Sequence, residues 1–369
     1  MRDVIVVGGG PSGSHAAYHC ALLGLRTLLI EKEHYPRDKP CGGAVDAEMR
    51  ERVSPDFLRV VEASTDRARL FYNFDELLRL GYENFYVDRK TFDEMLARRA
   101  QARGVDVLEG VRARRIIVDK SGAEVVCDQG SHRARIVIGA DGVNSVVRAS
   151  TGMEALRTRP DRFLAAVLEL EVGEDKKNEI LGDTDEHRHY NAYLFSGFIG
   201  LGWVFPKRGR VNIGLGGLAQ EAARIRSLLK DFLRGLDIDP SLSRLVKWHM
   251  IPFRPLRRVY SDRVLLVGDA AGFVNPLSGA GIDRGMISGE FAARVCARAC
   301  EKGDFSQSAL SEYQILCAPM LRKLRAKARV VDLAHYFFRK NLYSDVSIKF
   351  FVKRFAPIAT ERIGLTVNA

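Results

Sequence analysis

The stretch 3–31, DVIVVGGGPSGSHAAYHCALLGLRTLLIE, decides the fold of this chain. Its first apolar run, Val4–Val7, predicts a buried strand, which breaks into a glycine-rich turn and continues as a helix. A second run, Arg26–Ile30, predicts another strand and ends at the acidic Glu31. The order strand, glycine turn, helix, strand and acid is typical of a dinucleotide-binding unit.

Three glycines in the turn, Gly8, Gly10 and Gly13, follow the spacing G-x-G-x-x-G. We expect Gly8 to permit the tight turn, Gly10 to let the backbone approach a pyrophosphate, and Gly13 to let the helix pack closely on the strand. The helix start offers unpaired N–H groups and a partial positive charge to the phosphates. Glu31 lies where a carboxylate accepts hydrogen bonds from a ribose. The unit therefore predicts nucleotide binding, but it does not separate FAD from NAD.

The composition indicates a cytoplasmic enzyme of ordinary type. The 369 residues, 46% hydrophobic and 28% charged, suffice for one large or two closely joined domains. The first strand begins almost at Met1 with no basic leader, and no uncharged apolar run approaches the roughly 20 residues of a membrane span. The six cysteines form no C-x-x-C pair and no cluster with histidines, so we predict neither a disulfide framework nor a metal site.

The net charge of +11 is concentrated near the C-terminus, where residues 319–369 hold five Lys and six Arg against two Asp and one Glu. Basic residues alternate there with apolar ones such as Leu324 and Phe338. One interpretation is a solvated helical face that packs on the enzyme. The other, which we favour, is peripheral attachment to anionic headgroups at the inner face of a membrane. We predict no nucleic-acid binding, because no recognition module accompanies the charge.

Hydrophobic periodicity predicts an α/β fold in three parts. The first is a Rossmann-type nucleotide-binding domain assembled from discontinuous segments. The second is a substrate domain built on a mixed, mainly antiparallel β-sheet, and the third is a basic helical C-terminal region. The segments are 1–55, 86–158 and 259–320 for the nucleotide-binding domain, 56–85 and 159–258 for the substrate domain, and 321–369 for the C-terminal region.

Further motifs place polar groups at the ends of predicted strands. VIGADGVNSVVR (137–148) puts Asp141 after an apolar strand, and RVLLVGDAAGFVNPLSGAGI (263–282) does the same with Asp269. A carboxylate at such a strand end can hold a sugar or ribityl hydroxyl. Arg89 begins another predicted helix, in VDRKTFDEML. Each motif alone is often only a turn, but together with the glycine turn they indicate a single nucleotide site.

With these motifs the sequence resembles the FAD-dependent oxidoreductases of the para-hydroxybenzoate hydroxylase-like superfamily. The match covers about residues 1–300 and includes the Gly-Asp motif GDAAGFVNPLSGAGI. The resemblance implies that the cofactor is FAD. The residues that it places at the cofactor are Glu31 at the ribose, Arg89 near the pyrophosphate, Asp269 at the ribityl chain or pyrophosphate, Gly281 and Ile282 at the pyrimidine end of the flavin, and the backbone of Ala113 at the adenine.

Two further stretches resemble the geranylgeranyl reductase family within this superfamily. GLGWVFPKRGRVNIGLG (200–216) is similar to the family's YxWxFPK signature, with Leu201 in place of the tyrosine, and PRDKPCGGAV is similar to its cysteine loop. The resemblance implies a reductase that saturates carbon–carbon double bonds in polyprenyl chains of a lipid or quinone. It places Cys41, Gly42 and Ala44 against the flavin, with Cys41 as a candidate catalytic group.

Several alternatives stay open at this stage. Trp203, Phe205 and Pro206 are candidate lining residues for a long apolar substrate, or ordinary core residues. The electron donor is NAD(P)H or a ferredoxin-like protein, because no second dinucleotide unit follows the first. The alternative activity is a flavin-dependent monooxygenase or halogenase of an aromatic or apolar small molecule. A flavoprotein that binds lipid and only passes electrons is a third possibility.

Overall fold

The structure is a computed structural model that describes residues 1–53, 55–153, 162–184, 186–340, 342, 344–350 and 353. The end of the predicted C-terminal region, from 354 on, lies outside the described residues. The α-helices of the described residues are α1 (Pro11–Leu22), α2 (Arg50–Val53), α3 (Arg89–Ala102), α4 (Val146–Ser150), α5 (Gly173–Leu181), α6 (Ala222–Gly235), α7 (Ile282–Lys302), α8 (Gln307–Leu310) and α9 (Glu312–Arg339).

The strands fall into two sheets. The strands of the first sheet are β1 (Arg2–Val7), β2 (Thr27–Ile30), β6 (Asp106–Leu108), β7 (Ala113–Asp119), β8 (Gly122–Cys127), β9 (Gly130–Gly139), β15 (Tyr260–Ser261) and β16 (Val264–Leu266). The strands of the second sheet are β3 (Ala44–Asp46), β4 (Val61–Tyr72), β5 (Asp75–Val87), β10 (Arg162–Glu171), β11 (His189–Leu194), β12 (Gly200–Lys207), β13 (Arg210–Leu218) and β14 (Lys247–Pro252).

The first sheet has the parallel centre that the opening stretch predicts. Its main order is β15-β16-β9-β1-β2-β6, with β1 parallel to both neighbours, so that Val4 is paired with Thr27 on one side and Ile136 on the other. Helices α1, α3 and α7 pack together beside it. Because the parallel strands end at one edge, the turn at Gly8 and the carboxylate of Glu31 meet there, where such sheets bind nucleotides. The predicted Rossmann-type fold is confirmed.

The second sheet is mixed, as predicted. Its order is β14-β10-β13-β12-β11-β4-β5-β3, and its pairs are antiparallel except for β11 with β4. One face is covered by α6, whose Ile225, Leu229 and Phe232 join a core with Val204 and Ile213 of the sheet. The alternation of side chains along each strand sends the neighbouring positions to the opposite face. That opposite face is the one available to a cofactor or substrate.

A short strand within segment 1–55 belongs to the second sheet. The segment 1–55 was assigned to the nucleotide-binding domain, yet Ala44–Asp46 pairs with β5 of the second sheet, with Ala44 opposite Tyr86. The backbone N–H and C=O groups of this short strand need partners, and the free edge of β5 supplies them. The predicted domain boundaries stay predictions.

The helices predicted from periodicity occur where expected. The predicted amphipathic helix Asp88–Arg103 corresponds to α3, and its apolar residues Phe92, Leu96 and Ala100 are buried. The segment 306–355, predicted to be helical, contains α8 and α9. Helix α9 packs on α7, and its buried residues join the hydrophobic core of the first sheet.

Candidate functional site

The three glycines of the turn differ in how much space surrounds each of them. A Cβ on Gly8, which has a φ of +102°, would lie 2.4 Å from the carbonyl oxygen of Ala140, and one on Gly13 would lie 1.9 Å from that of Gly8. A Cβ on Gly10 would meet only the guanidinium of Arg37, at 3.4 Å. The fold therefore demands glycine at the first and third positions, whereas at Gly10 the space is open on the side that a ligand would approach.

Glu31 stabilises the glycine turn from the end of β2. Its carboxylate is 4% exposed and accepts hydrogen bonds from the backbone N–H of Gly9 at 2.7 Å and of Glu33 at 3.1 Å. The hydroxyl of Tyr35 donates to the carbonyl oxygen of Gly9 at 2.5 Å. The predicted ribose contact of Glu31 stays a prediction, but the structure gives this carboxylate a second role in holding the turn.

A buried chain of charges lies beside the turn. Asp93 is fully buried and accepts two hydrogen bonds from Arg89, at 2.7 and 2.8 Å. It also forms an ion pair with Arg37, with an N–O distance of 2.8 Å. Burial lowers the pKa of Arg89, but the carboxylate of Asp93 outweighs it and holds that pKa above its ordinary value. Sequence reasoning found Arg89 but missed Arg37 and Asp93, which come together only when α3 docks on the turn.

A cavity of about 340 Å³ runs from the glycine turn to the second sheet. Of the residues predicted to contact the cofactor, the cavity is lined by Gly10, Cys41, Gly42, Ala44, Arg89, Asp269, Gly281 and Ile282. The opposite end is a mostly apolar wall formed by Ala68, Leu70, Leu80, Tyr190, Ala192 and Leu201. The structure therefore joins the predicted cofactor residues and an apolar chamber in one cavity.

The YxWxFPK-like segment contributes alternate residues to this cavity. Leu201, Trp203 and Phe205 line it, but Pro206 does not, contrary to expectation. Side chains alternate along β12, so Pro206 points to the same face as Val204, away from the cavity. A Cβ on Gly42 would lie 2.6 Å from the ring of Phe205, so the cysteine loop packs directly on this strand.

A polar network fixes the cysteine loop to the second sheet. Asn212, on β13, accepts a hydrogen bond from the indole N–H of Trp203 at 2.7 Å. Its amide group donates to the carbonyl oxygen of Cys41 at 3.1 Å and to the carboxylate of Glu169 at 2.5 Å. Burial raises the pKa of Glu169. The sequence offers no signal for Asn212, because its partners come from three separate segments.

Two basic residues of the cavity have depressed pKa values. Burial lowers the pKa of Lys39, although the nearby carboxylate of Asp269 opposes the shift. Burial, together with the positive charge of Lys39, lowers the pKa of His249 to about 3. His249 is therefore neutral at physiological pH and can act only as a hydrogen-bonding group.

Ala113 is the predicted contact that the structure supports least. It begins β7 and is paired with Cys127. The backbone that reaches the end of β2 belongs instead to Val111, whose N–H donates to the carbonyl oxygen of Glu31 at 3.0 Å. The predicted adenine contact of Ala113 stays a prediction.

The described residues fit FAD at this site. Gly10 leaves room for close approach of a pyrophosphate at the start of α1, where backbone N–H groups point outward. The cavity continues from there past Asp269 to the start of α7, where Gly281 and Ile282 line it. These residues would hold a ligand with a phosphate-bearing middle and a planar end.

One cluster within the described residues has spacing suited to a metal ion, namely His15, His19 and Glu290. Its carboxylate is already paired with the guanidinium groups of Arg52 and Arg294, at 3.3 and 2.9 Å. These positive charges disfavour a cation there. The cluster contributes nothing to the cavity.

Comparisons with known proteins agree with this geometry. A family model described as FAD binding domain matches residues 1–328. Digeranylgeranylglycerophospholipid reductase 1 of Methanopyrus kandleri is 32% identical over 335 residues, which cover 85% of this chain and 84% of that protein. The crystal structure of a geranylgeranyl bacteriochlorophyll reductase-like protein from Thermoplasma acidophilum matches with a TM-score of 0.80 and 25% identity, covering 100% of this chain and 93% of the other.

A more distant likeness concerns the fold alone. The crystal structure of pqsL, a probable FAD-dependent monooxygenase from Pseudomonas aeruginosa, matches with a TM-score of 0.68 and 18% identity, covering 92% of this chain and 96% of the other. The fold is therefore shared by flavoproteins of different activities, and the activity has to be argued from the cavity.

Proposed function

The chain belongs to the geranylgeranyl reductase family of FAD-dependent oxidoreductases, and from this premise we propose that it saturates carbon–carbon double bonds in the polyprenyl chains of a membrane lipid. The proposed substrate class, a digeranylgeranylglycerophospholipid, is the one in the name of the similar reductase from Methanopyrus kandleri. A quinone with a polyprenyl tail presents the same chemical group and is the second substrate to test.

The observation that carries this proposal is the apolar chamber joined to the cofactor residues. An isolated double bond has no polar handle, so its recognition depends on burial of the hydrocarbon chain. Leu70, Leu80, Ala192 and Leu201 provide a wall of that kind in the cavity that Cys41 also lines. An aromatic hydroxylase or a halogenase would use polar groups to orient a ring, and the side chains of these four residues offer none.

The chain's own residues supply binding, orientation and exclusion of water. Reduced FAD, when bound, supplies the hydride for such a reaction. The apolar wall keeps water from a double bond that develops carbocation character. Trp203 and Phe205 pack against the cysteine loop. They thereby fix the distance between that loop and the apolar wall. In this proposal Cys41 lies against the flavin, and a chemical role for its thiol is a secondary hypothesis.

Mass spectrometry of the lipid tests the function. We expect anaerobically reduced, FAD-loaded protein to add two hydrogens to a digeranylgeranyl phospholipid for each double bond consumed. Lipid masses that stay unchanged with both the phospholipid and menaquinone would contradict the proposal. Products that gain oxygen or halide only in the presence of air would support the monooxygenase or halogenase instead.

The electron donor is part of the same proposal. NAD(P)H binding transiently at the cavity mouth and a ferredoxin-like protein are both compatible with one dinucleotide unit. Adding NADPH alone to FAD-loaded protein without air distinguishes the two donors. Reduction of the flavin would show that no protein donor is needed.

We further propose that the C-terminal apolar face attaches the protein to the inner face of an anionic membrane. This face consists of exposed residues of α9 and the following segment, namely Leu333, Tyr336, Phe337, Leu342, Val346 and Phe350. The exposed Arg339 and Lys340 lie within it. The described residues contain no helix that is long and apolar enough to span a membrane. Basic groups beside an apolar surface favour anionic headgroups by about 1 kcal/mol per charge.

This face is held on the substrate domain by hydrogen bonds. Asp345 accepts one from the hydroxyl of Tyr72 at 2.6 Å and one from the hydroxyl of Ser196 at 2.9 Å. Tyr72 ends β4, the strand that also carries Ala68 and Leu70 of the cavity wall. A lipid surface on this face would therefore lie on the same domain as the apolar chamber.

Vesicle sedimentation tests the attachment. We expect wild-type protein to bind phosphatidylglycerol vesicles in a salt-sensitive manner, and the triple variant Leu333→Asn, Phe337→Asn, Val346→Asn to bind at least about 10-fold more weakly, because each change removes buried apolar area. Ile315→Asn is the matched control, since Ile315 is 69% exposed on the same helix but outside the face. Equal binding by the triple variant and the control would refute the assignment.

A further inference from the structure

A buried pair of carboxyl groups lies in the cavity, next to the segment predicted to hold the flavin. Asp283 directly follows Gly281 and Ile282 at the start of α7, and it is 4% exposed. The backbone N–H of Asp46, on β3, donates to Oδ1 of Asp283 at 3.2 Å. Asp46, Asp283 and Tyr82 all line the cavity that contains the apolar wall. The pair therefore places an exchangeable proton in the same cavity as the apolar wall.

Asp46 accepts hydrogen bonds that Asp283 does not share. Asp46 accepts from the hydroxyl of Tyr82 at 2.8 Å and from the backbone N–H of Glu48 at 3.0 Å. Two donated hydrogen bonds stabilise a carboxylate. The negative charge of Asp46 disfavours a second charge on Asp283, so Asp283 binds a proton more readily than an ordinary aspartate. Since Oδ1 of Asp283 accepts from Asp46, the protonated oxygen is Oδ2.

The charged groups around Asp283 also affect how readily it binds a proton. Burial and the carboxylate of Asp46 raise the pKa of Asp283 to about 6, although the guanidinium of Arg284 opposes the shift. From β5, Tyr82 faces the pair, and burial and Asp46 hold the pKa of its phenol above the ordinary value. Among these neighbours Arg284 is the cation, and Asp46 is the anion.

We propose that Asp283 is the acid that delivers the proton in the reduction, with Asp46 as the positioning residue that favours its protonated form. This inference rests on the proposed function. In the step, the π bond opens and one carbon accepts a hydride, with both electrons, from the reduced flavin. The other carbon forms its new bond with the proton of Asp283 Oδ2. Asp283 is left as a carboxylate and regains a proton from water when the product leaves.

The first test compares Asp283→Asn, Asp46→Asn and the control Asp231→Asn in single turnovers of FAD-loaded, dithionite-reduced protein with digeranylgeranyl phospholipid. We expect Asp283→Asn to lose about 10²- to 10⁴-fold in rate, the usual contribution of a general acid. The wild-type rate falls about tenfold per pH unit above the pKa of Asp283, and Asp46→Asn moves this decline to lower pH because the negative neighbour is gone. Asp231 is exposed on α6, far from the cavity, and its variant keeps the wild-type profile.

The second test does not use turnover. Because the pKa of Asp283 is raised in the folded state, the folded protein binds more protons than the unfolded chain between about pH 4 and pH 6. We therefore expect the denaturant midpoint of FAD-loaded protein to fall as pH rises through this window, and Asp283→Asn to lose that slope and to be the more stable protein at neutral pH. Carbon-13 NMR of labelled aspartate gives the titration directly.

The outcomes separate the two proposals. A wild-type protein that reduces no double bond contradicts the proposed function, and the role of Asp283 falls with it. A wild type that reduces the lipid while Asp283→Asn keeps its rate and pH profile overturns the role of Asp283 alone. Titration of Asp283 near its ordinary pKa in the NMR experiment also overturns it, whatever the variant's activity.

Discussion

We expect the substitution Gly10→Ala to abolish most FAD binding while leaving the apoprotein folded. The added Cβ meets no protein atom closer than the flexible guanidinium of Arg37, at 3.4 Å, and Gly10 has an ordinary φ of −72°. A methyl group there would occupy the space that a pyrophosphate needs. Overpacking of this kind costs about 1–3 kcal/mol, which weakens FAD binding about 5- to 160-fold. Flavin fluorescence titration of the apoprotein measures the effect.

Two other glycines provide the comparison. Gly13→Ala should reduce both FAD binding and apoprotein stability, because its Cβ would collide with the backbone of Gly8 at 1.9 Å. Gly81→Ala, on β5, should change neither, since its Cβ would lie 3.5 Å from the flexible side chain of Arg67. If Gly10→Ala binds FAD as tightly as Gly81→Ala does, the cofactor does not lie against this turn.

The second large effect is expected for Asn212→Leu. The change keeps the side-chain volume but removes three hydrogen bonds, and it leaves the carboxylate of Glu169, the indole of Trp203 and the carbonyl group of Cys41 without this partner. Each buried polar group left unpaired costs about 1–3 kcal/mol, so the free energy of unfolding should fall by at least about 3 kcal/mol. Denaturant unfolding of the FAD-loaded protein measures the loss.

A looser cysteine loop is the second readout of this variant. Cys41 is half-buried, and we expect its thiol to be labelled faster by a maleimide in Asn212→Leu than in wild type. Glu169→Gln is the matched control, because a glutamine side chain still accepts the hydrogen bond from Asn212 and leaves its other two bonds intact. Equal labelling rates in Asn212→Leu and Glu169→Gln would show that the network does not hold the loop.

The site features that could be predicted from the sequence are those encoded by local motifs. The glycine turn, the acid at Glu31 and the strand end at Asp269 each depend on residues close together in sequence, so their spacing alone indicates their geometry. Trp203 and Phe205 also belong to a local motif, and both line the cavity; their contact with a substrate stays a prediction. The side chain of Pro206 faces away from the cavity, because side chains alternate between the two faces of β12. A motif match does not show which face each residue takes.

Networks between distant segments could not be predicted. Asn212 meets Cys41 across 171 residues of chain, and Asp46 meets Asp283 across 237. No periodicity or motif marks these residues, because their partners are brought to them only by the packing of two sheets. The same reason applies to β3, since a three-residue strand carries no signal of which sheet edge will accept it.

The sequence by itself determined the glycine turn beginning at Gly8, on which a dinucleotide is predicted to lie, because contiguous residues encode that turn. It also determined the alternation of parallel and antiparallel segments, and hence the two sheets. The tertiary structure alone decided that the cysteine loop packs on β12, that an apolar wall faces it, and that a carboxyl pair lies in the same cavity. These features depend on how the two sheets approach each other, and hydrophobic burial over the whole chain sets that approach.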